Sequence, residues 1–199
     1  LNYTNVCITD CKFCAFYRPP NHEEAYTLTL DEIEARVKTG WDMFKIRQVL
    51  IQGGHNPKLG IEYYEDSFKM IRSKFPDVGV HGLSTSEIDM IATVEKSSTK
   101  EVLSRLKDAG LQSVPGAGAE ILTDSVKEII SPKKIDSDDW IRIMKESFEL
   151  GLPASATMMY GHVETNNDIV EHYDKIAKLQ KDLNGFMAFI PWSFEPNNT

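Results

Sequence analysis

Three cysteines carry the first chemical signal in this sequence. Cys7, Cys11 and Cys14 are the only cysteines of the 199-residue chain, and all three lie in the string VCITDCKFCAF. An odd number of thiols cannot pair completely in disulfides, and a bridge between such close neighbours would constrain little chain entropy. Three thiolates that reach one point from a single loop instead predict a metal centre.

Two kinds of metal centre fit this set of thiols. A structural zinc site needs four ligands, so His22 or a residue from elsewhere would have to complete it. Only Cys11 and Cys14 have the usual zinc spacing of two intervening residues. A cubane iron–sulfur cluster held by three cysteines leaves its fourth iron for a non-protein ligand, whereas electron-carrying clusters generally use four cysteines. The loop therefore favours a catalytic cluster, with zinc as the alternative.

The elements that must position this loop alternate between short apolar runs and longer stretches of helical period, which predicts βα units around a parallel sheet. The predicted strands are the opening segment and residues 47–54, 77–84, 111–118, 153–161 and 186–194. Capping boxes at 29–32 and 98–101 predict helix starts, and further helices are predicted over 61–75, 120–130, 138–151 and 166–183.

About six βα units without a compositional linker favour an α/β fold of the (β/α) barrel type, whole or partial, in a single domain over residues 1–199. A doubly wound open sheet is the alternative. Both ends look cut from a longer protein. The unusual polar residues follow the predicted strands, in the strings GGHNP, STSE, PGAGAE, YGHVE and PWSFEP. Parallel sheets of either kind place their sites at this carboxyl edge.

Charge and composition narrow the class of partner. The chain has 22 basic and 30 acidic residues and a formal charge of -8, which opposes attraction to nucleic acid or anionic lipid. A small-molecule substrate is therefore expected, with no nucleic acid or membrane partner. No apolar run reaches membrane-spanning length and no signal peptide is visible. With so few cysteines, this predicts a cytoplasmic protein.

The spacing C-x3-C-x2-C, with Phe13 before the last cysteine, resembles the signature of the radical S-adenosylmethionine (SAM) superfamily, whose fold is a full or partial (β/α) barrel. The resemblance implies that Cys7, Cys11 and Cys14 bind a 4Fe-4S cluster and that S-adenosylmethionine chelates its open iron. Phe13 would lie against the adenine, unless it is a core aromatic residue. The implied partner is an electron donor such as flavodoxin or ferredoxin, which supplies the electron that cleaves the cofactor.

Several other residues follow from the resemblance. Gly53 and Gly54 occupy the place of a GGE-like element that binds the cofactor in this family, although such a pair alone is often only a turn. His55 replaces the glutamate and is assigned to the substrate. Glu120 could accept ribose hydroxyls or cap a helix.

Two serines after the third predicted strand are further candidates for the cofactor site. Ser84 and Ser86 could reach the methionine or ribose portion of the cofactor, or they could cap a helix.

Longer strings resemble one branch of the superfamily over nearly the whole chain: NYTNVC, CAFYR, IQGGHNP, PGAGAEIL, ATMMYGHVET and FIPWSFEPNNT. This branch contains the menaquinone-pathway enzymes of the futalosine route and the deazaflavin-precursor synthase. The strings are most similar to those of the dehypoxanthine futalosine cyclases. The implied reaction begins when the 5'-deoxyadenosyl radical removes the hydrogen from C4' of the substrate ribose. Oxidative closure then gives cyclic dehypoxanthine futalosine.

The alternatives within the branch are aminofutalosine synthase and the deazaflavin-precursor synthase. A zinc-stabilised binding module without catalysis is the alternative from a different class.

The substrate side of the site is assigned to residues near the expected mouth of the barrel. Tyr17, His162 and Glu164 are the catalytic candidates, and His162 could take the rearomatising proton or simply order its loop. Arg18 could meet the substrate carboxylate or remain solvated. Trp192 could wall the pocket or pack in the core.

Overall fold

A computed structural model describes residues 1–196, so the last three residues of the FIPWSFEPNNT string lie outside the described part. The strands are β1 (Gln48–Ile51), β2 (Gly79–Gly82), β3 (Leu111–Ser113), β4 (Ala154–Tyr160) and β5 (Phe186–Ser193). The helices are α1 (Leu30–Phe44), α2 (Ile61–Lys74), α3 (Thr85–Glu95), α4 (Thr99–Ala109), α5 (Asp124–Ile130), α6 (Ser137–Glu149) and α7 (Asn166–Leu183).

The strands pair in parallel and in chain order. β1, β2 and β3 form one sheet, and β4 pairs with β5. A parallel bridge between Val114 and Ala154 joins the two sheets, and a parallel bridge between Asn2 and Gln52 adds the opening segment to β1. Neighbours in strict chain order are typical of a barrel wall, whereas a doubly wound sheet reverses its order at a switch point. The predicted partial barrel is confirmed.

The opening segment differs from the regular strand that was predicted. The Tyr3 N–H donates to the Gln52 carbonyl, and the Thr4 carbonyl accepts from the Gly54 N–H. The Thr4 hydroxyl donates to the Tyr26 carbonyl on its other side, and Val6 bridges to Arg18. Because residues of later loops hydrogen-bond to its second edge, the segment is extended but makes only isolated bridges.

Local capping chemistry explains where the helices begin. Thr29 and Glu32 form the predicted capping box of α1. The Ser98 side chain accepts from the Glu101 N–H at the predicted start of α4, but the Glu101 carboxylate accepts from the Ser97 hydroxyl, so only half of the predicted capping box forms. Helix α3 was not predicted, although Ser84 and Glu87 form a capping box there.

Helix α5 starts later than its predicted start at residue 120. Glu120 has a φ of 43°, in the left-handed region that ends helices rather than beginning them. The N-cap of α5 is Thr123, so the helix-capping alternative for Glu120 is wrong.

The core lies between the sheet and the helices on its outer face. Ile51 and Val80 are buried, as is Phe68 of α2. Leu50 and His81 are register partners on the opposite, inner face and are less buried. Strand alternation therefore separates a packed outer face from an accessible inner face. No helix among residues 1–196 is both long and apolar enough to cross a membrane.

Candidate active site

All three cysteines border one cavity of about 190 Å³ at the carboxyl ends of the strands. Several loops contribute to its wall, as parallel topology requires. Seven of the other predicted site residues also line it: Phe13, Tyr17, Gly53, Gly54, His55, Ser84 and Glu120. The fold thus brings together predicted residues that are up to 113 positions apart along the chain, from Cys7 to Glu120.

The cysteine loop is held by short contacts around its sulfur atoms. The Thr9 hydroxyl lies 3.0 Å from Cys7 Sγ and 3.5 Å from Cys11 Sγ. The backbone N–H of His55 donates to Cys7 Sγ at 3.3 Å, and the Cys14 N–H donates to the Cys11 carbonyl at 3.1 Å. All three thiols are free. The His55 N–H stabilises negative charge on Cys7 Sγ, and the thiolate is the form that binds a metal. Burial raises the pKa of the Cys11 thiol.

The Gly53–Gly54 turn packs directly against the cysteine loop. A Cβ on Gly54 would lie 2.2 Å from the Val6 carbonyl oxygen and 2.8 Å from Cys7 Cβ. A Cβ on Gly53 would lie 2.7 Å from the Tyr3 ring. Glycine was predicted here so that a ligand could approach the backbone. The structure gives a different reason for it, because the side without a Cβ is filled by the protein itself.

Glu120 and Lys134 form a buried ion pair on the cavity wall. Lys134 Nζ lies 2.9 Å from Glu120 Oε1 and 5.4 Å from the centre of the Phe13 ring. Burial opposes ionisation of Glu120, but Lys134 and Lys127 outweigh it and hold the pKa of the carboxyl below its usual value. Glu120 Oε2 is buried and has no partner in the described part of the chain. This oxygen is free to accept from a ligand.

Ser84 caps helix α3, which was one of its two predicted roles, and it also borders the cavity. Ser86 does not line the cavity. It is fully buried, and a Cβ on Gly118 would lie 2.7 Å from its hydroxyl oxygen. Ser86 therefore packs beneath the PGAGAE turn.

His55 is a buried, uncharged member of the cavity wall. Burial lowers the pKa of its imidazole to about 3, and the positive charge of Lys134 acts in the same direction. At neutral pH the ring can donate and accept hydrogen bonds but carries no charge.

A family comparison identifies the superfamily of this chain. The model described as "Radical SAM superfamily" matches residues 1–176. The chain belongs to the radical SAM superfamily. Its members are enzymes, which excludes the zinc-stabilised binding module without catalysis. The superfamily binds S-adenosylmethionine and a 4Fe-4S cluster, and three thiols on one cavity wall, with an unpartnered carboxylate oxygen beside them, fit this pair of cofactors.

Three curated relatives match this radical SAM chain over nearly its whole length. It is 41% identical over 199 residues to cyclic dehypoxanthine futalosine synthase of Halalkalibacterium halodurans, covering 100% of this chain and 54% of the relative. It is 39% identical over 198 residues to 5-amino-6-(D-ribitylamino)uracil--L-tyrosine 4-hydroxyphenyl transferase of Methanopyrus kandleri, covering 100% and 53%. It is 36% identical over 197 residues to aminodeoxyfutalosine synthase of Thermus thermophilus, covering 99% and 53%. The chain spans about half the length of these relatives.

The solved structures agree on the radical SAM fold. The crystal structure of methylornithine synthase superposes with a TM-score of 0.75 at 12% identity, covering 98% of this chain and 52% of that chain. At this identity the likeness shows a shared fold.

In residues 1–196, no three Cys, His, Asp or Glu side chains are arranged so that they could hold a single metal ion.

Besides Ser86, four of the predicted residues lie away from the cavity of this radical SAM chain. Arg18 Nε contacts Glu24 Oε2 at 2.6 Å, and its Nη1 donates to the Ala15 and Tyr17 carbonyls at 3.2 and 2.9 Å. These contacts fasten the end of the cysteine loop. Trp192 lies on β5 and is 41% exposed. Neither residue borders the cavity.

His162 and Glu164, the other two, order their own loop. His162 Nε2 lies 3.1 Å from the Met159 carbonyl oxygen, and Nδ1 lies 3.2 Å from Glu164 Oε2. The Glu164 carboxylate accepts from the backbone N–H groups of Gly161 and His162. Burial opposes ionisation, but these bonds hold the pKa of Glu164 below its usual value. This geometry matches the loop-ordering alternative for His162.

The sequence interpretation missed three residues of the site. Thr9 lies between two cysteines, Glu87 lines the cavity beside Ser84, and Lys134 pairs with Glu120. The S-x-x-E spacing of residues 84–87 is a capping-box pattern that could have revealed Glu87. Lys134 lies in a short connection without a motif, so only the folded chain brings it to the cavity.

Proposed function

We propose that this chain is the catalytic core of an enzyme that cyclises dehypoxanthine futalosine to cyclic dehypoxanthine futalosine for menaquinone synthesis. The observation that carries the proposal is the single cavity bordered by three thiols, a glycine turn and a carboxylate with one unpartnered oxygen. The 41% identity to a cyclic dehypoxanthine futalosine synthase supports the choice of reaction.

Cys7, Cys11 and Cys14 would hold the 4Fe-4S cluster through their thiolates. When bound there, S-adenosylmethionine supplies the 5'-deoxyadenosyl radical that starts the reaction. The free oxygen of Glu120 can accept a hydrogen bond from a ribose hydroxyl, and Phe13 offers an aromatic surface for adenine. A walled cavity keeps water from the reacting carbon.

The substrate would meet the remaining wall of the cavity. His55 stays neutral, so it serves as a hydrogen-bond partner rather than a charge for the substrate. Tyr17 borders the cavity and can contact the substrate through its hydroxyl. For His162 or Glu164 to accept the proton, or Arg18 to bind the carboxylate, each would first have to leave its present contacts.

An electron donor such as flavodoxin or ferredoxin would approach from outside the cysteine loop. A groove there is lined by Cys11, Cys14 and Tyr17, which also line the cavity. The loop is therefore a thin wall between the proposed cluster and the surface. Free thiols and an oxygen-sensitive cluster favour a reducing cytoplasm.

The test is anaerobic reconstitution of the protein with iron and sulfide. We expect about four iron atoms per chain, and formation of the cyclic product when S-adenosylmethionine, a reductant and dehypoxanthine futalosine are added. Cys14→Ala should lose iron and activity together. Stoichiometric zinc without iron would refute the proposal.

A sister reaction is the second candidate, because the identity to the tyrosine 4-hydroxyphenyl transferase is 39%, close to that of the cyclase. The aminodeoxyfutalosine synthase follows at 36%. Parallel assays should offer the same preparation tyrosine with 5-amino-6-(D-ribitylamino)uracil, and the substrate of aminodeoxyfutalosine synthase. Product from either assay, with none from dehypoxanthine futalosine, would reassign the reaction.

A further inference from the structure

Glu87 is a buried carboxylate that joins three separate segments at the cavity. Its Oε1 accepts from the Tyr3 hydroxyl at 2.8 Å and from the Gly53 N–H at 2.9 Å. Its Oε2 accepts from the Ser84 N–H and the Ser84 hydroxyl, both at 2.7 Å. The residue is 3% exposed and lines the cavity. Four donors from the opening segment, the end of β1 and the start of α3 therefore meet on one side chain.

We propose that Glu87 is a positioning residue that fixes the Gly53–Gly54 turn and Ser84 in the arrangement that binds S-adenosylmethionine. This inference rests on the proposed function, because it assumes that the cofactor occupies this cavity. Gly53 and Ser84 border the cavity directly. Glu87 would act through them, since its own two oxygens are already occupied.

The bonding pattern requires a carboxylate at position 87. Each oxygen accepts from a backbone N–H, Gly53 on one side and Ser84 on the other, and a backbone N–H can only donate. A glutamine amide has one acceptor oxygen and one NH2 group. In either orientation its NH2 would face a backbone N–H, so an isosteric change must break one of the two attachments.

Glu32 offers a matched control within the same chain. It has the same place in the capping box of α1 that Glu87 has in α3. Glu32 Oε2 alone accepts from the Thr29 N–H and hydroxyl, at 2.7 and 3.0 Å, and its other oxygen has no hydrogen bond within the described residues. Glu32→Gln can therefore keep its oxygen on Thr29 and turn its NH2 outward to solvent.

The experiment compares the dissociation constant of S-adenosylmethionine for reconstituted wild type, Glu87→Gln and Glu32→Gln by equilibrium dialysis. We expect Glu87→Gln to raise the constant by roughly tenfold or more, the effect of losing a hydrogen bond to a charged group. The KM for S-adenosylmethionine in 5'-deoxyadenosine formation should rise in parallel. Iron content is measured in each preparation, and the constant is expressed per reconstituted cluster, because the Gly53–Gly54 turn also packs against Cys7. Glu32→Gln should bind like the wild type.

Equal dissociation constants for the two variants would overturn the inference and leave Glu87 as an ordinary helix cap. Wild type that binds no S-adenosylmethionine would instead reject the proposed function. Tyr3→Phe provides a milder test if Glu87→Gln does not fold, because it removes one donor and keeps the Gly53 N–H. It should raise the constant by roughly threefold, and an unchanged constant in a folded Tyr3→Phe protein would also overturn the inference.

Discussion

Lys134 is the residue whose charge keeps Glu120 ionised in the cavity wall. The two side chains are 14% and 6% exposed and lie 2.9 Å apart. Its neighbour Lys133 pairs with Asp10 at 2.7 Å, but those side chains are 57% and 45% exposed. Removing one partner of a buried pair leaves an uncompensated charge, whereas an exposed pair contributes little. We therefore expect Lys134 to contribute far more to the free energy of unfolding than its neighbour Lys133.

Lys134→Met should lower the free energy of unfolding at pH 7 by about 3–5 kcal/mol, and Lys133→Met by less than about 1 kcal/mol. In the wild type the depressed pKa of Glu120 gives stability that is lost as the pH falls below the usual carboxyl range. In Lys134→Met, the loss of the closer positive charge moves the pKa of Glu120 upward from its wild-type value, and protonation then relieves part of the cost. Urea denaturation should therefore show a smaller difference in the free energy of unfolding between wild type and Lys134→Met at pH 5 than at pH 7. A constant gap would contradict this account.

The turn after β1 is the element that ties the sheet to the cysteine loop. Its glycine backbone lies against Val6 and Cys7, and the His55 N–H that follows it donates to Cys7 Sγ. The strand, the turn and the loop therefore form one packed unit. The position of the sulfur atoms depends on the absence of a side chain at residue 54.

Gly54→Ala should push the cysteine loop away from β1 and bind iron substoichiometrically after reconstitution. Overpacking of this kind costs about 1–3 kcal/mol of stability. Gly79→Ala on β2 is the control, because its Cβ would lie 3.1 Å from a side-chain atom, Gln112 Oε1, and at an ordinary 3.5 Å from the Arg47 carbonyl oxygen. It should keep full iron and stay within about 1 kcal/mol of the wild type. Iron analysis and thermal unfolding measure both effects, and full iron in Gly54→Ala would show that the contact is unimportant.

Two buried histidines, His55 and His172, shape how the molecule as a whole responds to acid. Burial lowers the pKa of His172 to about 4, with Lys127 and Lys175 acting in the same direction. His172 Nδ1 accepts from the Leu122 N–H at 3.0 Å, which joins α7 to the turn before α5. The unfolded chain protonates its histidines near pH 6.5. The contribution of His172 to the free energy of unfolding is therefore fully present above pH 6.5 and is lost as the pH falls towards 4.

His172→Asn should remove one titrating group from this transition. The Asn carbonyl oxygen can take the place of Nδ1 and accept from the Leu122 N–H. Between pH 6.5 and 4, the stability of this variant should fall less steeply than that of the wild type by about 1.4 kcal/mol per pH unit. Urea denaturation across this range measures both slopes. Parallel slopes would mean that His172 does not titrate on unfolding.

The sequence by itself determined the cysteine loop, the parallel βα order and the superfamily. The reason is that these features are local: three cysteines lie within eight positions, and strands and helices follow from short-range periodicity and caps. The starts of α1 and α4 were predicted from capping patterns alone. The predicted start of α5 at residue 120 was wrong, because the conformation of Glu120 is set by its neighbours in space.

Only the tertiary structure decided which polar residues share the cavity. Glu87 and Lys134 reach it through contacts with segments far away along the chain, and His162, Glu164 and Arg18 turn instead to their own loops. Position after a strand predicts the edge of the sheet on which a residue lies. The direction of its side chain depends on which donors and charges the other loops bring to that edge. A capping-box pattern marks Glu87, but no short pattern marks Lys134.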